Sequence, residues 1–204
     1  MRLFDLGGDG TEEAHNRVFT VPNLMSVARL CILPFLYLDL ADGRFGRALV
    51  IGWIFGATDF LDGYVARRFD QVTRLGQLLD PISDRFFIGT IGIGAAVSGL
   101  LPWWPIVAII ARDAVFLVVG LVLMGRGVSP PPVTRLGKSA TFGLMWSFVP
   151  LLAAGIVGSA EDPEPVFWWI GMTGMAVAVA LYYLVAVQYA RIVFGADRSS
   201  DVPA

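Results

Sequence analysis

Six long apolar runs, at about 21–41, 45–68, 78–100, 104–125, 138–158 and 165–190, restrict this chain more than any other feature. A helix rising about 1.5 Å per residue needs roughly 20 apolar residues to cross a hydrocarbon layer of about 30 Å. Lipid offers the backbone no hydrogen bonds, so a spanning segment must satisfy its own, and helices are expected over open strands. Apolar residues fill 56% of the 204 positions and charged residues only 16%, which is too oily for an ordinary water-soluble domain. The expected fold class is therefore an all-α integral membrane protein with six transmembrane helices. Residues 12–20 mix charges with Val18 and Phe19 and are expected to form a short juxtamembrane helix on the membrane surface. The expected organisation is a cytoplasmic or interfacial segment 1–20, one six-helix domain 21–190 and a tail 191–204, disordered from about Asp197.

Loop charge sets the expected orientation. Arg2, Arg17, Arg67, Arg68, Arg74, Arg126, Arg135, Lys138, Arg191 and Arg198 fall on one side of the six runs. The other side has Arg44 and Arg47 beside Asp42, Glu161, Asp162 and Glu164. Short cytoplasmic loops carry the excess of Lys and Arg, so both termini are expected in the cytoplasm. Segment 127–135 contains Ser129-Pro130-Pro131-Pro132, which cannot propagate a helix, and is expected to be a loop on that side. A net charge of −2 argues for no nucleic-acid partner. The one cysteine, Cys31, excludes an intrachain disulfide framework and is read as a small packing residue. The acidic start, with Asp5, Asp9, Glu12 and Glu13, lacks the pattern of a secretory signal peptide.

Four carboxylates stand where apolar residues would cost least: Asp59 and Asp62 late in the second run, Asp80 and Asp84 early in the third. An aspartate at the centre of a membrane helix costs about 2.5–3.5 kcal/mol even on the lower scales, so such acids face a polar cavity and serve a purpose. Spacings of i,i+3 and i,i+4 put each pair on one helix face. Clustered like charges raise one another's pKa unless a counter-charge is present. Oxygen-only ligation suits Mg²⁺, Mn²⁺ or Ca²⁺, and two such ions can clamp a pyrophosphate. The competing reading is structural, with the acids paired to Arg67, Arg68 and Arg85. Between the pairs, Gly63 and Gly76 permit close backbone approach, Ala66 keeps its face small, and Arg67 offers a planar fork for phosphate.

Together these residues read Asp59-x2-Asp62-Gly63-x2-Ala66-Arg67-x8-Gly76-x3-Asp80-x3-Asp84, which resembles the signature of the CDP-alcohol phosphotransferase family. The opening Val21-Pro22-Asn23-Leu24-Met25-Ser26-Val27-Ala28-Arg29 is similar to the family's first-helix entry, and the resemblance covers most of 20–190. It implies a phosphatidyltransferase that uses CDP-diacylglycerol and releases CMP, working as a homodimer with a cytoplasm-facing site in the bacterial plasma membrane. By resemblance, Asp59, Asp62, Asp80 and Asp84 ligate two divalent cations, Mg²⁺ or Mn²⁺. Asp62, Gly63, Ala66, Arg67 and Gly76 bind the nucleotide, and Asp84 is also the general base.

The acceptor alcohol is less tightly indicated. Arg112, Arg135 and Lys138 are the candidate cations for an acceptor phosphate, although Arg112 could pair with Asp113 and the other two could serve topology alone. Phosphatidylglycerol-phosphate synthases of the family carry Gly-Lys-x-Lys-Thr and Arg-Glu elements. This chain has Gly137-Lys138-Ser139-Ala140-Thr141 and Arg112-Asp113, which look more like the eukaryotic-type cardiolipin synthases, and it is similar to an actinobacterial branch of both. Arg85 also replaces the usual lysine after Asp84. One cation fewer suits a phosphodiester such as phosphatidylglycerol better than the dianion of glycerol 3-phosphate. Cardiolipin synthesis is thus expected first and phosphatidylglycerol-phosphate synthesis second. An ion transporter is the non-enzyme alternative, opposed by the lack of an inverted repeat.

Overall fold

The computed structural model describes residues 20–68, 73–125 and 135–196, without the side chains at 21–22, 60, 62–68, 74–75, 77–78, 121–124, 135, 138 and 189–196. The expected surface helix at 12–20, apart from Thr20, the proline-rich loop up to 134 and the tail from 197 lie outside the described residues. The described chain is all-helical: α1 (Val21–Ala41), α2 (Phe45–Arg68), α3 (Arg74–Val97), α4 (Trp104–Gly125), α5 (Arg135–Val157) and α6 (Pro165–Ala196). Within the described residues, stretches Asn23–Ala41, Ser139–Val157 and Pro165–Gln188 are long and apolar enough to cross a membrane.

Two helices begin earlier than their apolar runs, and local chemistry explains one of them. The hydroxyl of Thr73 accepts the Gly76 N–H at 2.9 Å and so caps α3 four residues before hydropathy rises. Helix α5 starts at Arg135, which places Arg135 in its first turn instead of in the loop ahead of it. Helix α6 runs on to Ala196, past the expected end of its apolar run.

The helices close into a ring in the order α1, α2, α5, α6, α4, α3, with α3–α4 the thinnest of these seams. Small residues permit the closest approaches, as they do where van der Waals packing rather than hydrophobic burial joins membrane helices. Leu40 of α1 occupies the space a Cβ would take at Gly94, and Leu151 and Ser147 of α5 do the same at Gly171 and Gly174 of α6. The α1–α2 turn needs Gly43 at φ 72°, and beneath it buried Asp39 is flanked by Arg44 and Arg47, at 3.5 and 3.4 Å. These two arginines, the exceptions to the one-sided distribution of positive charge, are thus locally neutralised.

Opposite that turn in sequence, but at the same end of the bundle, Trp168 donates its indole N–H to Leu100 O at 2.9 Å and packs edge-on against Trp169. Trp103, Trp104 and Trp169 are exposed there, the arrangement of an interfacial aromatic belt. Cys31 is exposed on α1, which corrects its reading as a packing residue: the core side of this stretch is filled by Leu33, Leu36 and Leu40.

Candidate active site

The acidic face forms where α2 and α3 meet α1. Asp59 lies nine residues before the end of α2, and Asp80 and Asp84 occupy successive turns of α3. Arg29 of α1, 3% exposed, joins them: its guanidinium pairs with Asp59 and lies 3.4 Å from Asp80. Ser26, one turn earlier, donates to Asp80 at 3.1 Å and accepts from Arg29 at 3.4 Å. The Arg29 guanidinium also lies 5.3 Å from the centroid of Phe55, which stacks on Phe87 at 4.1 Å. A buried cation is thereby held between an aromatic face and two acids, which offsets a desolvation cost that an unpaired arginine would not survive. Asp84 lies within electrostatic reach of Asp59, Asp80, Arg29 and Arg85.

This geometry bears on the structural reading of the acids at one of its three arginines. Arg85 does not pair with them; it reaches across the α3–α4 seam to both oxygens of Asp113, at 2.9 and 2.7 Å. The side chains of Arg67 and Arg68, like that of Asp62, lie outside the described residues. The buried counter-charge is Arg29 alone among the described contacts of Asp59 and Asp80, leaving an excess of negative charge. The Asp59 and Asp80 side chains are 44% and 49% exposed, so their oxygens remain open to a ligand. An oxygen-only donor set with surplus negative charge fits a hard divalent cation. Among the described residues no three acids yet converge on one point, and Asp62 is not among them.

Arg29 and Ser26 are the site residues that composition and spacing did not single out. The available signal was an arginine inside an apolar run, a placement that calls for a buried partner.

Gly76 packs against α1: a Cβ there would stand 2.9 Å from Asn23 Oδ1 and 3.1 Å from Thr73 Oγ1. Those two atoms are themselves bonded, Thr73 donating to Asn23 at 2.7 Å. Gly63, Ala66 and Arg67 lie on the last turns of α2. Arg112 is 10% exposed and donates to Asp113 at 2.8 Å, with Phe116 and Tyr182 against its guanidinium at 3.9 and 4.5 Å to their ring centroids. Its Nε is buried without a partner. The Tyr182 hydroxyl in turn bonds Thr141 at 2.8 Å, and Ala140 is fully buried, so position 140 points into the bundle. Tyr182 thus links Arg112 to Thr141, the last residue of the Gly137–Thr141 element, whereas the side chains of Arg135 and Lys138 are outside the described residues.

An all-helical bundle with membrane-length apolar helices and a half-open acidic site built around one buried arginine defines an integral membrane protein with a cation-attracting site. The model of the CDP-alcohol phosphatidyltransferase family matches residues 19–194, and the chain belongs to that family. It is 38% identical to the Streptomyces coelicolor "Cardiolipin synthase (CMP-forming)" over 196 residues, covering 91% of this chain and 89% of that one. A Mycobacterium bovis "Putative cardiolipin synthase" is 43% identical over 138 residues, 67% of this chain, and the match spans 66% of the relative's length. A Mycobacterium tuberculosis "Probable phosphatidylglycerophosphate synthase" is 31% identical over 180 residues, 85% of this chain and 81% of the relative.

Proposed function

We propose that the protein transfers the phosphatidyl group of CDP-diacylglycerol to phosphatidylglycerol, forming cardiolipin and CMP. The observation that carries this reading is the seating of Asp59 and Asp80, both half open, against buried Arg29, with Asp84 one turn past Asp80 on α3. Asp59, Asp62, Asp80 and Asp84 would hold two Mg²⁺ or Mn²⁺ ions. When bound, those ions neutralise the pyrophosphate and stabilise charge developing at phosphorus and on the leaving phosphate. Arg29 and Ser26 fix the orientations of Asp59 and Asp80, so that the donor oxygens are set before substrate arrives. Asp62, Gly63, Ala66, Arg67 and Gly76 bind the nucleotide, Arg67 supplying a planar fork for phosphate.

Asp84 takes the proton of the acceptor hydroxyl as its oxygen attacks the β-phosphorus. The new P–O bond forms as the pyrophosphate P–O bond breaks, and CMP departs with the bridging oxygen. Arg112, Arg135 and Lys138 receive the acceptor's phosphate. Asp113 shares its charge between Arg85 and Arg112, so this trio carries a net single positive charge. Partial neutralisation of Arg112 by Asp113 lowers the positive charge facing the acceptor phosphate, which favours a phosphodiester monoanion over a monoester dianion.

All six helices have 21 to 32 residues, enough to cross the hydrocarbon at about 1.5 Å per residue, and this reading has every one spanning. Helices α2 and α3 are less apolar because they carry the site. The domain then extends over 21–190, flanked by segments 1–20 and 191–204, with both termini and the site facing the cytoplasm of a bacterial plasma membrane. A homodimer is part of the same reading and rests on the family resemblance.

The test supplies purified protein with CDP-diacylglycerol, Mg²⁺ and either phosphatidylglycerol or glycerol 3-phosphate, and identifies the lipid product by mass. Cardiolipin from phosphatidylglycerol is the expected result. Phosphatidylglycerol phosphate from glycerol 3-phosphate, with no cardiolipin, selects the second reading, a CDP-diacylglycerol–glycerol-3-phosphate 3-phosphatidyltransferase, for which the 31%-identical Mycobacterium tuberculosis relative is the precedent.

A further inference from the structure

A groove of about 930 Å³ runs between α1 and α3, lined by Leu30, Leu33, Pro34 and Tyr37 on one side and by Arg85, Phe86, Gly89, Thr90 and Ile93 on the other. Its position relative to the acidic site is informative. Leu30 follows Arg29, and Arg85 follows Asp84, so the groove begins at the level of the site. From there it runs along both helices toward Tyr37 and Ile93, away from the α2–α3 end. Eight residues of α3 separate Arg85 from Ile93, about 12 Å of helix. Arg85 is the one charged residue in the lining, and every other wall except Thr90 and the Tyr37 hydroxyl is apolar.

A cation at one end and a hydrocarbon wall along the rest is the layout of a phospholipid with a single phosphate. The trio of Arg85, Arg112 and Asp113 has a net charge of +1, complementary to a phosphodiester. The direction also suits a lipid of the leaflet on the site side, whose headgroup lies toward the loops and whose chains run toward the bilayer middle. A lipid chain gains little free energy on leaving bilayer for an equally apolar groove, so the groove acts by placing the lipid, not by extracting it.

Resting on the proposed transfer to phosphatidylglycerol, we infer that the α1–α3 groove seats an acyl chain of the acceptor lipid, with its phosphodiester between Arg85 and Arg112, which share Asp113, and its glycerol hydroxyl beside Asp84. Choice of a lipid acceptor over a water-soluble one is then made partly by this groove.

Gly89 supplies the test, because a Cβ at that position meets nothing within 4 Å and a larger side chain enters the groove instead of the core. Steady-state CMP release in mixed micelles is measured for wild type, Gly89→Ala and Gly89→Trp, varying each lipid in turn. Gly89→Trp is expected to raise the KM for phosphatidylglycerol tenfold or more while the KM for CDP-diacylglycerol stays within twofold, and Gly89→Ala should raise the KM for phosphatidylglycerol by a smaller factor, in proportion to the groove volume it fills. An unchanged KM for phosphatidylglycerol, or a rise confined to CDP-diacylglycerol, overturns the groove assignment while leaving the reaction intact. A wild-type protein that makes no cardiolipin overturns both, and is told apart by the first column of the same experiment. As a measurement on unaltered protein, phosphatidylglycerol with a photoreactive acyl chain should label the 30–37 and 85–93 segments, with labelling competed by phosphatidylglycerol and not by CDP-diacylglycerol. Labelling elsewhere, or competition by the donor alone, refutes the inference.

Discussion

Replacing Arg29 by methionine removes the one described counter-charge of Asp59 and Asp80 while keeping a long side chain over Phe55. Removing one partner from a fully buried ion pair costs about 3–5 kcal/mol, because the other charge is stranded. Here the stranded acids are 44% and 49% exposed and recover hydration, so the expected loss is about 2 kcal/mol. For a chain of 204 residues this lowers the melting midpoint by about 4–8 °C. Divalent cation should restore part of the loss, since a ligand that binds the folded cluster stabilises it by mass action. Arg29→Lys should fall between the two, as a single ammonium cannot serve Asp59, Asp80 and the Phe55 face together. The assay is thermal unfolding in detergent with and without Mg²⁺. An Arg29→Met protein that melts with the wild type in EDTA, or gains no more from Mg²⁺ than the wild type does, refutes the assignment of Arg29 as the internal counter-ion.

Two further changes probe neighbouring parts of the site. Gly76→Ala drives a methyl to within 2.9 Å of an Asn23 oxygen already held by Thr73; overpacking of this kind costs about 1–3 kcal/mol, which a lowered melting midpoint and a separated α1–α3 contact in disulfide trapping would report. Asp113→Asn leaves Arg85 and Arg112 without their shared acid and raises the local charge by one, so the ratio of kcat/KM for glycerol 3-phosphate over phosphatidylglycerol should increase about tenfold, while Asp113→Glu should keep the wild-type ratio.

Helix positions were legible in the sequence because lipid demands long unbroken apolar runs, and α1, α2 and α4 follow their runs. The start of α3 was not, because it depends on one capping hydroxyl, Thr73, that hydropathy cannot register. That Asp80 and Asp84 share one face of α3 was legible from their i,i+4 spacing, and that Asp59 and Asp80 need a polar setting from the cost of acids among apolar residues. Their counter-ion was not: Arg29 stands some 30 and 50 positions away, and only the packing of α1 on α2 and α3 brings it into contact. Arg85 shows the opposite failure, since adjacency to Asp84 suggested a pairing that helix geometry prevents. Successive residues diverge around a helix, and Arg85 turns to Asp113 instead. Position 140 was legible as a missing cation, while its full burial, which makes a lysine there an insertion into the core, required the fold.

Metal-dependent phosphatidyl transfer at Asp59, Asp80 and Asp84, with Asp84 as base, is read by CMP release from CDP-diacylglycerol and phosphatidylglycerol, with Mg²⁺ or EDTA, in wild type and Asp84→Asn. Release should match cardiolipin formed, stop in EDTA, and be absent from Asp84→Asn although that variant still binds the nucleotide. Wild-type turnover by Asp84→Asn, or CMP release that survives EDTA, would contradict this mechanism.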